Sequence, residues 1–302
     1  MSYTTLISAE QLQALMATPQ FSNQLRIFDC TFELAHPHVG QEQYLKSHLP
    51  GAIYADLDKS LSAVHGVPGP HGVLTASGAD APASGGRHPL PNRERLATWL
   101  SSVGMGNDMQ AVVYDRNGSS YCGRLWWMLK WAGHENVAIL DGGLQAWQKS
   151  GGQINEGEES AHFQASFILR PKLAVLVDTQ TVAAQLGRPA QTLIDARSTQ
   201  RFKGELEPLD PVAGHIPGAL NRPFSQNLTA EGKFKSAELL KSEFTDLLGL
   251  RSPETVVHHC GSGVGAVPNL VAMEIAGLGR AGLYAGSWSE WCSDPNRPVA
   301  QG

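Results

Sequence analysis

A set of landmarks occurs twice in this chain, in the same order. Ser47-His48-Leu49-Pro50-Gly51-Ala52-Ile53 returns as Gly214-His215-Ile216-Pro217-Gly218-Ala219-Leu220. Upstream, Ile27-Phe28-Asp29-Cys30 matches Leu193-Ile194-Asp195-Ala196. Downstream, Ala111-Val112-Val113-Tyr114-Asp115 matches Val256-Val257-His258-His259-Cys260, and Leu140-Asp141-Gly142-Gly143 with Trp147 matches Tyr284-Ala285-Gly286-Ser287 with Trp291. Such ordered self-similarity means one scaffold built twice, and 302 residues give each copy the length of a medium domain.

Short apolar runs alternate with helical stretches in each copy. The first copy predicts strands near 25–29, 52–55, 111–114 and 137–140, with helices near 92–103 and 121–132. The second predicts strands near 192–195, 255–259 and 281–284, with helices near 236–248 and 266–276. That alternation implies an α/β fold in which each copy forms a mainly parallel sheet flanked by helices. The polar, glycine-bearing stretch 151–171 reads as a linker between a first domain, 1–150, and a second, 172–302. Residues 66–87, rich in Gly, Pro, Ala and Ser, form a stretch long enough to cover a site.

Chemistry concentrates at Cys260. It closes the apolar run from Thr255 and opens a small-residue loop, Gly261-Ser262-Gly263-Val264-Gly265-Ala266, before a helical stretch. Ligands of parallel sheets sit beyond the carboxyl ends of strands. There, the N–H groups of a glycine-rich turn and a helix N-terminus favour an anion. The order suits a nucleophilic sulfur, or a sulfur that carries a negative group. In the first copy Asp115 occupies the equivalent place, and a carboxylate cannot carry transferable sulfur. The second copy is therefore expected to be catalytic and the first non-catalytic. His258 and His259 are expected to pack within their strand, and Trp126, Trp127 and Trp131 to fill a core.

The bulk composition excludes several classes. A net charge of -5 gives no footing for nucleic acid. No stretch approaches the ~20 apolar residues of a membrane span. The N-terminus lacks a basic segment followed by an apolar one, which argues for the cytoplasm. The four cysteines (30, 122, 260 and 292) show no CxxC spacing, so neither a zinc site nor a disulfide scaffold is expected.

Taken together, Cys260-Gly261-Ser262-Gly263-Val264, His215-Ile216-Pro217-Gly218-Ala219 and Gly286-Ser287-Trp288-Ser289-Glu290-Trp291 resemble the tandem-domain rhodanese superfamily, and within it the 3-mercaptopyruvate sulfurtransferases. The resemblance implies a sulfurtransferase that moves sulfur from 3-mercaptopyruvate through a Cys260 persulfide to a thiol or cyanide, with a thioredoxin-like reductant as a further acceptor. It implies no cofactor and no metal. It implies a relay of Ser262, His88 and Asp58 beside the cysteine, with Asp56 competing for the Asp58 role. Arg201 aligns with the family's substrate-binding arginine, a fork suited to a carboxylate. The loop residues Gly261, Gly263, Val264, Gly265 and Ala266 are expected to hold the anionic sulfur through their backbone. Arg197 is expected to form an ion pair within its domain.

Two positions depart from the family pattern. Gly265 stands where a threonine is usual, and Asp210 stands where the mercaptopyruvate group tends to have a second arginine. Thiosulfate-type enzymes can carry aspartate there, so thiosulfate is the alternative donor. A non-catalytic sulfur-binding module is a further alternative. A cysteine phosphatase would need arginine at position 266, which is Ala266.

Overall fold

The computed structural model describes residues 2–19, 24–63, 81–160 and 164–302. By their contacts these fall into two compact units. The first comprises Met1–Ser62, Arg93–Leu173 and Thr229–Phe234; the second comprises Ala63–Asn92, Ala174–Leu228 and Lys235–Gly302.

In the first unit, strands β1 (Leu6–Ile7), β2 (Leu25–Asp29), β3 (Ala52–Tyr54), β4 (Gln110–Tyr114) and β5 (Val137–Leu140) form one sheet in the order β1-β5-β4-β2-β3. Helices α1 (Ala9–Met16), α2 (Pro37–Lys46), α3 (Arg93–Ser102), α4 (Cys122–Trp131) and α5 (Gly143–Lys149) accompany it. In the second, β6 (Val175–Leu176), β7 (Thr192–Asp195), β8 (Leu220–Asn221), β9 (Val256–His259) and β10 (Gly282–Leu283) take the order β6-β10-β9-β7-β8. Its helices are α6 (Thr179–Ala184), α7 (Thr199–Lys203), α8 (Ala237–Leu248), α9 (Val267–Ile275) and α10 (Ser287–Trp291). The two orders are the same permutation, and every pairing in both sheets is parallel.

Burial explains which strands were readable. Every residue of β4, β5, β7 and β9 is buried; β5 is a continuous apolar run, and the other three keep at least two adjacent apolar residues beside Gln110, Thr192, Asp195, His258 and His259. The two-residue edge strands β1, β6 and β8 carry no such run. Trp127 and Trp131 stack at 5.7 Å, and Trp126 donates to the Thr4 carbonyl, so all three pack as expected.

The repeated histidine motif does the same structural job twice. His48 stacks on Tyr44 with its Nδ1 2.7 Å from the Tyr44 carbonyl oxygen; His215 stacks on Phe202 with its Nδ1 2.8 Å from the Phe202 carbonyl oxygen. Each ring is thus tied to a carbonyl in the last turn of a helix, and the Tyr44 carbonyl also accepts from the Ser47 amide. The following glycines, Gly51 and Gly218, take φ of 72° and 79° in matching turns.

The units depart from the expected 1–150 and 172–302 domains by exchanging segments. The described residues of Ala63–Asn92 (63 and 81–92) pack with the second unit, and Thr229–Phe234 with the first. His88, expected to come from the first copy, therefore belongs to the second unit. Of the glycine- and proline-rich stretch 66–87, residues 66–80 lie outside the described residues.

Candidate functional site

Cys260 follows the carboxyl end of β9 and is 6% exposed. Its amide donates to the Ser287 Oγ at 3.0 Å, and its carbonyl accepts from the Trp288 amide at 3.0 Å. The Gly261 carbonyl accepts from Ser289 at 2.9 Å, so the loop is stitched to the start of α10. Gly263 takes φ of 73°, and a Cβ there would collide with the Ala285 carbonyl oxygen. The position needs glycine for both reasons. α9 starts at Val267 with Pro268 in its first turn, where the missing N–H costs no helical bond.

The first unit shows what this turn holds. The Asp115 carboxylate accepts from the amides of Asn117 (2.8 Å) and Ser119 (3.0 Å) on one oxygen, and of Tyr121 (2.9 Å) and Cys122 (2.9 Å) on the other. The two loops match at several positions and differ at others, since Ser119 (φ 64°) and Gly142 (φ 81°) are left-handed where Val264 and Gly286 (φ -61°) are not. Gly118 has φ of 67° where Gly263 has 73°, Gly143 has 58° where Ser287 has 56°, and the Leu144 amide donates to the Asp115 carbonyl as Trp288 does to Cys260. The first-unit turn therefore binds an anion, its own aspartate, through four backbone amides.

Residues 83–90 fold over the second loop. The Ala83 amide donates to the Leu90 carbonyl and the Leu90 amide to the Ser84 Oγ, which closes the segment on itself. Gly85 and Gly86 let it approach α10: a Cβ on Gly85 would lie 2.7 Å from the Glu290 carboxyl carbon, and one on Gly86 2.5 Å from the Gly286 carbonyl oxygen. The Arg87 amide then donates to the Ser289 Oγ at 3.0 Å. The His88 Nδ1 comes within 2.8 Å of the Ser262 Oγ, with both side chains buried. Two of the three expected relay residues thus meet. Asp58, the third, lies in the first unit. Its rival Asp56 caps the local turn, accepting from the Asp58 and Lys59 amides and pairing with the Lys59 ammonium.

An alternating chain of charges leads from the core to the Cys260 loop. Arg197 is held by Asp195 (2.7 Å) and Glu207 (3.2 Å), with its guanidinium 4.8 Å from the centre of the Trp288 ring. This is the expected intradomain pairing. Glu207 also binds Arg201 at 2.6 Å, Arg201 binds Asp210 at 3.1 Å, and Asp210 binds Arg87 at 2.5 Å. Burial opposes the Glu207 charge, yet the Arg201 hydrogen bond and the Leu209 and Asp210 amides hold its carboxyl below the usual range. For Asp210 burial prevails over the arginines and pushes the carboxyl up. A Cβ built on Gly261 would lie 3.1 Å from the Arg87 Nη2 and 3.4 Å from the Arg201 Nη1. The uncharged loop is therefore not short of cations; they arrive from two other segments.

The remaining titratable groups are structural in placement. His258 is wholly buried, its Nε2 3.1 Å from the Met273 Sδ, and burial pushes it down to about 3. Burial likewise lowers His259, whose Nδ1 stands 4.0 Å from Asp195. Burial raises the thiols of Cys30 and Cys122 well above the usual range and that of Cys292 to about 11. Among the described residues no cluster of three or more His, Cys, Asp or Glu could hold a metal ion, and no helix is long and apolar enough to cross a membrane.

Sequence reasoning missed Arg87, Glu207 and Ser287. For Arg87 a signal existed: an aspartate at 210 in place of an arginine leaves a negative charge that some cation must balance.

Comparison with known proteins adds an independent line. The model of the rhodanese-like domain matches residues 8–150 and 178–294. A probable 3-mercaptopyruvate sulfurtransferase of Pseudomonas aeruginosa is 43% identical over 303 residues, covering 100% of both chains. A putative thiosulfate sulfurtransferase of Mycobacterium tuberculosis is 38% identical, covering 98% of this chain and 97% of its own. The crystal structure of a 3-mercaptopyruvate sulfotransferase from Escherichia coli superposes with a TM-score of 0.75 at 28% identity, over 95% of this chain and 100% of that one.

Proposed function

Both halves of this chain belong to the rhodanese-like domain family, and on that footing we propose that it is a sulfurtransferase that takes sulfur from 3-mercaptopyruvate through a persulfide on Cys260. The observation that carries the reading is Cys260 at a strand–turn–helix junction with the Ser262 hydroxyl and the His88 ring in contact beside it.

The Cys260 thiolate attacks the donor sulfur. An S–S bond forms and the donor C–S bond breaks, leaving its electron pair on carbon as the pyruvate enolate. The donor thiol proton passes through Ser262 and His88, and the enolate carbon takes up a proton to give pyruvate. The family resemblance gives Asp58 the role of fixing the His88 tautomer. The persulfide is then attacked at its outer sulfur by a thiol, a thioredoxin-like reductant or cyanide, which restores the thiolate. No metal or cofactor enters the scheme.

Support for an anion cradle at Cys260 comes from the twin turn. Residues matching the four Asp115 donors are Ser262, Val264, Ala266 and Val267, of which the Val267 amide already donates to the Val264 carbonyl at 3.2 Å. The backbone from Gly261 to Ala266, with Gly263 permitting the turn, would serve the persulfide as the first unit serves its carboxylate. Asp115 marks the first unit as non-catalytic. Arg201 grips the donor carboxylate. The setting is the cytoplasm.

One observation favours thiosulfate as a second donor: Asp210 sits on both arginines near Gly261, at a place where thiosulfate-type enzymes can carry aspartate. Steady-state rates with each donor separate the readings; a large preference for thiosulfate reverses the assignment. Exposure to mercaptopyruvate should add the mass of one sulfur atom at Cys260. Cys260→Ser should retain its circular dichroism and lose turnover by at least about a thousandfold. Turnover surviving in that variant rules out the mechanism.

A further inference from the structure

Within α10, Trp288 and Trp291 fill the core of the second unit and Ser287 holds the Cys260 amide. Glu290 serves neither purpose. It is a half-buried carboxyl one turn past Gly286. Its Oε1 would lie 2.8 Å from a Cβ on Gly85, and its Oε2 would overlap a Cβ on Gly286. The carboxyl thus fills the space that two glycines leave between the 83–90 segment and the start of α10. Burial pushes it up, against the Thr179 hydroxyl, Arg297 and the Gly85 amide, and Asp178 adds to the rise. Its neighbour Ser289 accepts from the Arg87 amide at 3.0 Å. Two consecutive residues of α10 therefore meet residues 85 and 87 of the segment. His88 follows directly, its Nδ1 2.8 Å from the Ser262 Oγ. In the first unit Ala146 stands at the place of Glu290, and its amide donates to the Gly142 carbonyl as that of Glu290 does to Gly286, each at 3.1 Å. That turn forms without a carboxylate, so forming it is not what the Glu290 carboxylate is for.

Resting on the sulfurtransferase reading, we propose that Glu290 is a positioning residue for the reaction: its carboxyl, wedged between Gly85 and Gly286, sets the 83–90 segment so that His88 stays on Ser262. His88 needs such a support, because its segment contains no helix or strand. The bonds from Ala83 to Leu90 and from Leu90 to Ser84 shape the segment without fixing where it lies. The Ala63 amide fixes its far end at Pro89, and Asp210 holds the flexible side chain of Arg87. The backbone just before His88 is met by α10, through Glu290 and Ser289. Proton transfer through a hydroxyl and an imidazole depends steeply on distance, and a displacement of about 1 Å can cost about a hundredfold in rate. Glu290 acts through His88, so its loss belongs in kcat and not in donor binding.

The test uses the full chain. Mass spectrometry of the wild type after mercaptopyruvate treatment first establishes sulfur loading at Cys260. Its absence would count against the sulfurtransferase reading and leave amide hydrogen exchange to judge Glu290. Glu290→Ala gives α10 the residue that the first unit carries. Its kcat with mercaptopyruvate should fall by about ten- to hundredfold, with KM within about threefold of wild type. Exchange at the Arg87 and Leu90 amides should quicken by about tenfold or more, while amides of β9 keep their wild-type rates. Glu290→Gln keeps the shape and an acceptor oxygen, and should return kcat to within about threefold of wild type. A merely structural glutamate would instead lower the urea midpoint and leave kcat of the folded protein alone. Wild-type kcat in Glu290→Ala overturns the proposal, as does a loss confined to KM, wild-type exchange at Arg87 and Leu90, or a Glu290→Gln protein no faster than Glu290→Ala. Should Glu290→Ala fail to fold by circular dichroism, Gly85→Ala decides, since its methyl group pushes on the same carboxyl from the segment side. Wild-type kcat and exchange in that variant overturn the proposal.

Discussion

Ser287 holds a backbone conformation, φ of 56°, that serine seldom adopts, and it does so fully buried. Its hydroxyl accepts from the Cys260 amide at 3.0 Å and donates to the Tyr284 carbonyl at 2.9 Å. The first unit has Gly143 at the matching place, where the same φ is free of strain. Serine therefore pays a conformational penalty of about 1 kcal/mol at the one position that touches the nucleophile's own amide. The return is a fixed start for the catalytic turn. Ser287→Ala keeps the strain and strands a buried N–H, so it should lower unfolding free energy by about 1–3 kcal/mol. Urea denaturation measures this, and sulfur loading at Cys260 should slow in parallel. Ser287→Gly removes the strain along with the hydroxyl and should fall nearer to wild type in stability. A Ser287→Ala protein as stable as wild type would show that the hydroxyl holds nothing.

At the scale of elements, β9 carries two buried histidines directly before the nucleophile, and they bear on acid stability. Burial holds His258 at about 3, with His259 and Arg222 adding to the effect, while an unfolded histidine titrates near 6.5. A depressed folded value means the unfolded chain binds the proton first. The stabilisation is thus complete above about pH 6.5 and is lost as pH falls toward 3, by up to about 1.4 kcal/mol per pH unit. Urea midpoints between pH 7 and 5 should fall for the wild type, and His258→Leu should fall less steeply. Parallel slopes for the two proteins would refute the assignment. The same elements show what a sequence can reveal. β4, β5, β7 and β9 are buried on both faces, so their apolar runs stood out, as did α3, α4, α8 and α9. The short helices α6, α7 and α10, five or six residues each, and the two-residue edge strands are fixed by packing and leave no period to find. Cys260 and Ser262 were legible because a glycine-rich turn between strand and helix has a chemical reason. His88 was legible only through resemblance. Arg87 was hidden because its partner, Asp210, is distant in sequence and its segment packs with the unit it was not assigned to.

Across the whole molecule, the duplication kept a scaffold and changed what its turn carries. Sheet order, the paired histidine motifs and the positive φ angles at 118/263 and 143/287 are shared. What differs is the side chain at the carboxyl end of the matching strand: aspartate in the first unit, cysteine in the second. A carboxylate with four amide donors is a permanent occupant, so the first turn is saturated by its own chain. This makes a prediction about stability rather than turnover. Asp115→Ala would leave four inward-facing amides without their acceptor. Two of them, on Ser119 and Cys122, belong to buried residues that water reaches poorly. The cost should be about 3–5 kcal/mol, against about half that for Asp115→Asn, which keeps one acceptor oxygen. Differential scanning calorimetry should show the loss as a lowered Tm, and formate or acetate, small carboxylates able to fill the vacated cradle, should restore part of it in the alanine variant only. Asp115→Ala with a wild-type Tm and no response to formate would show that the amides find other partners, and the likeness between the two turns would then not support an anion cradle at Cys260.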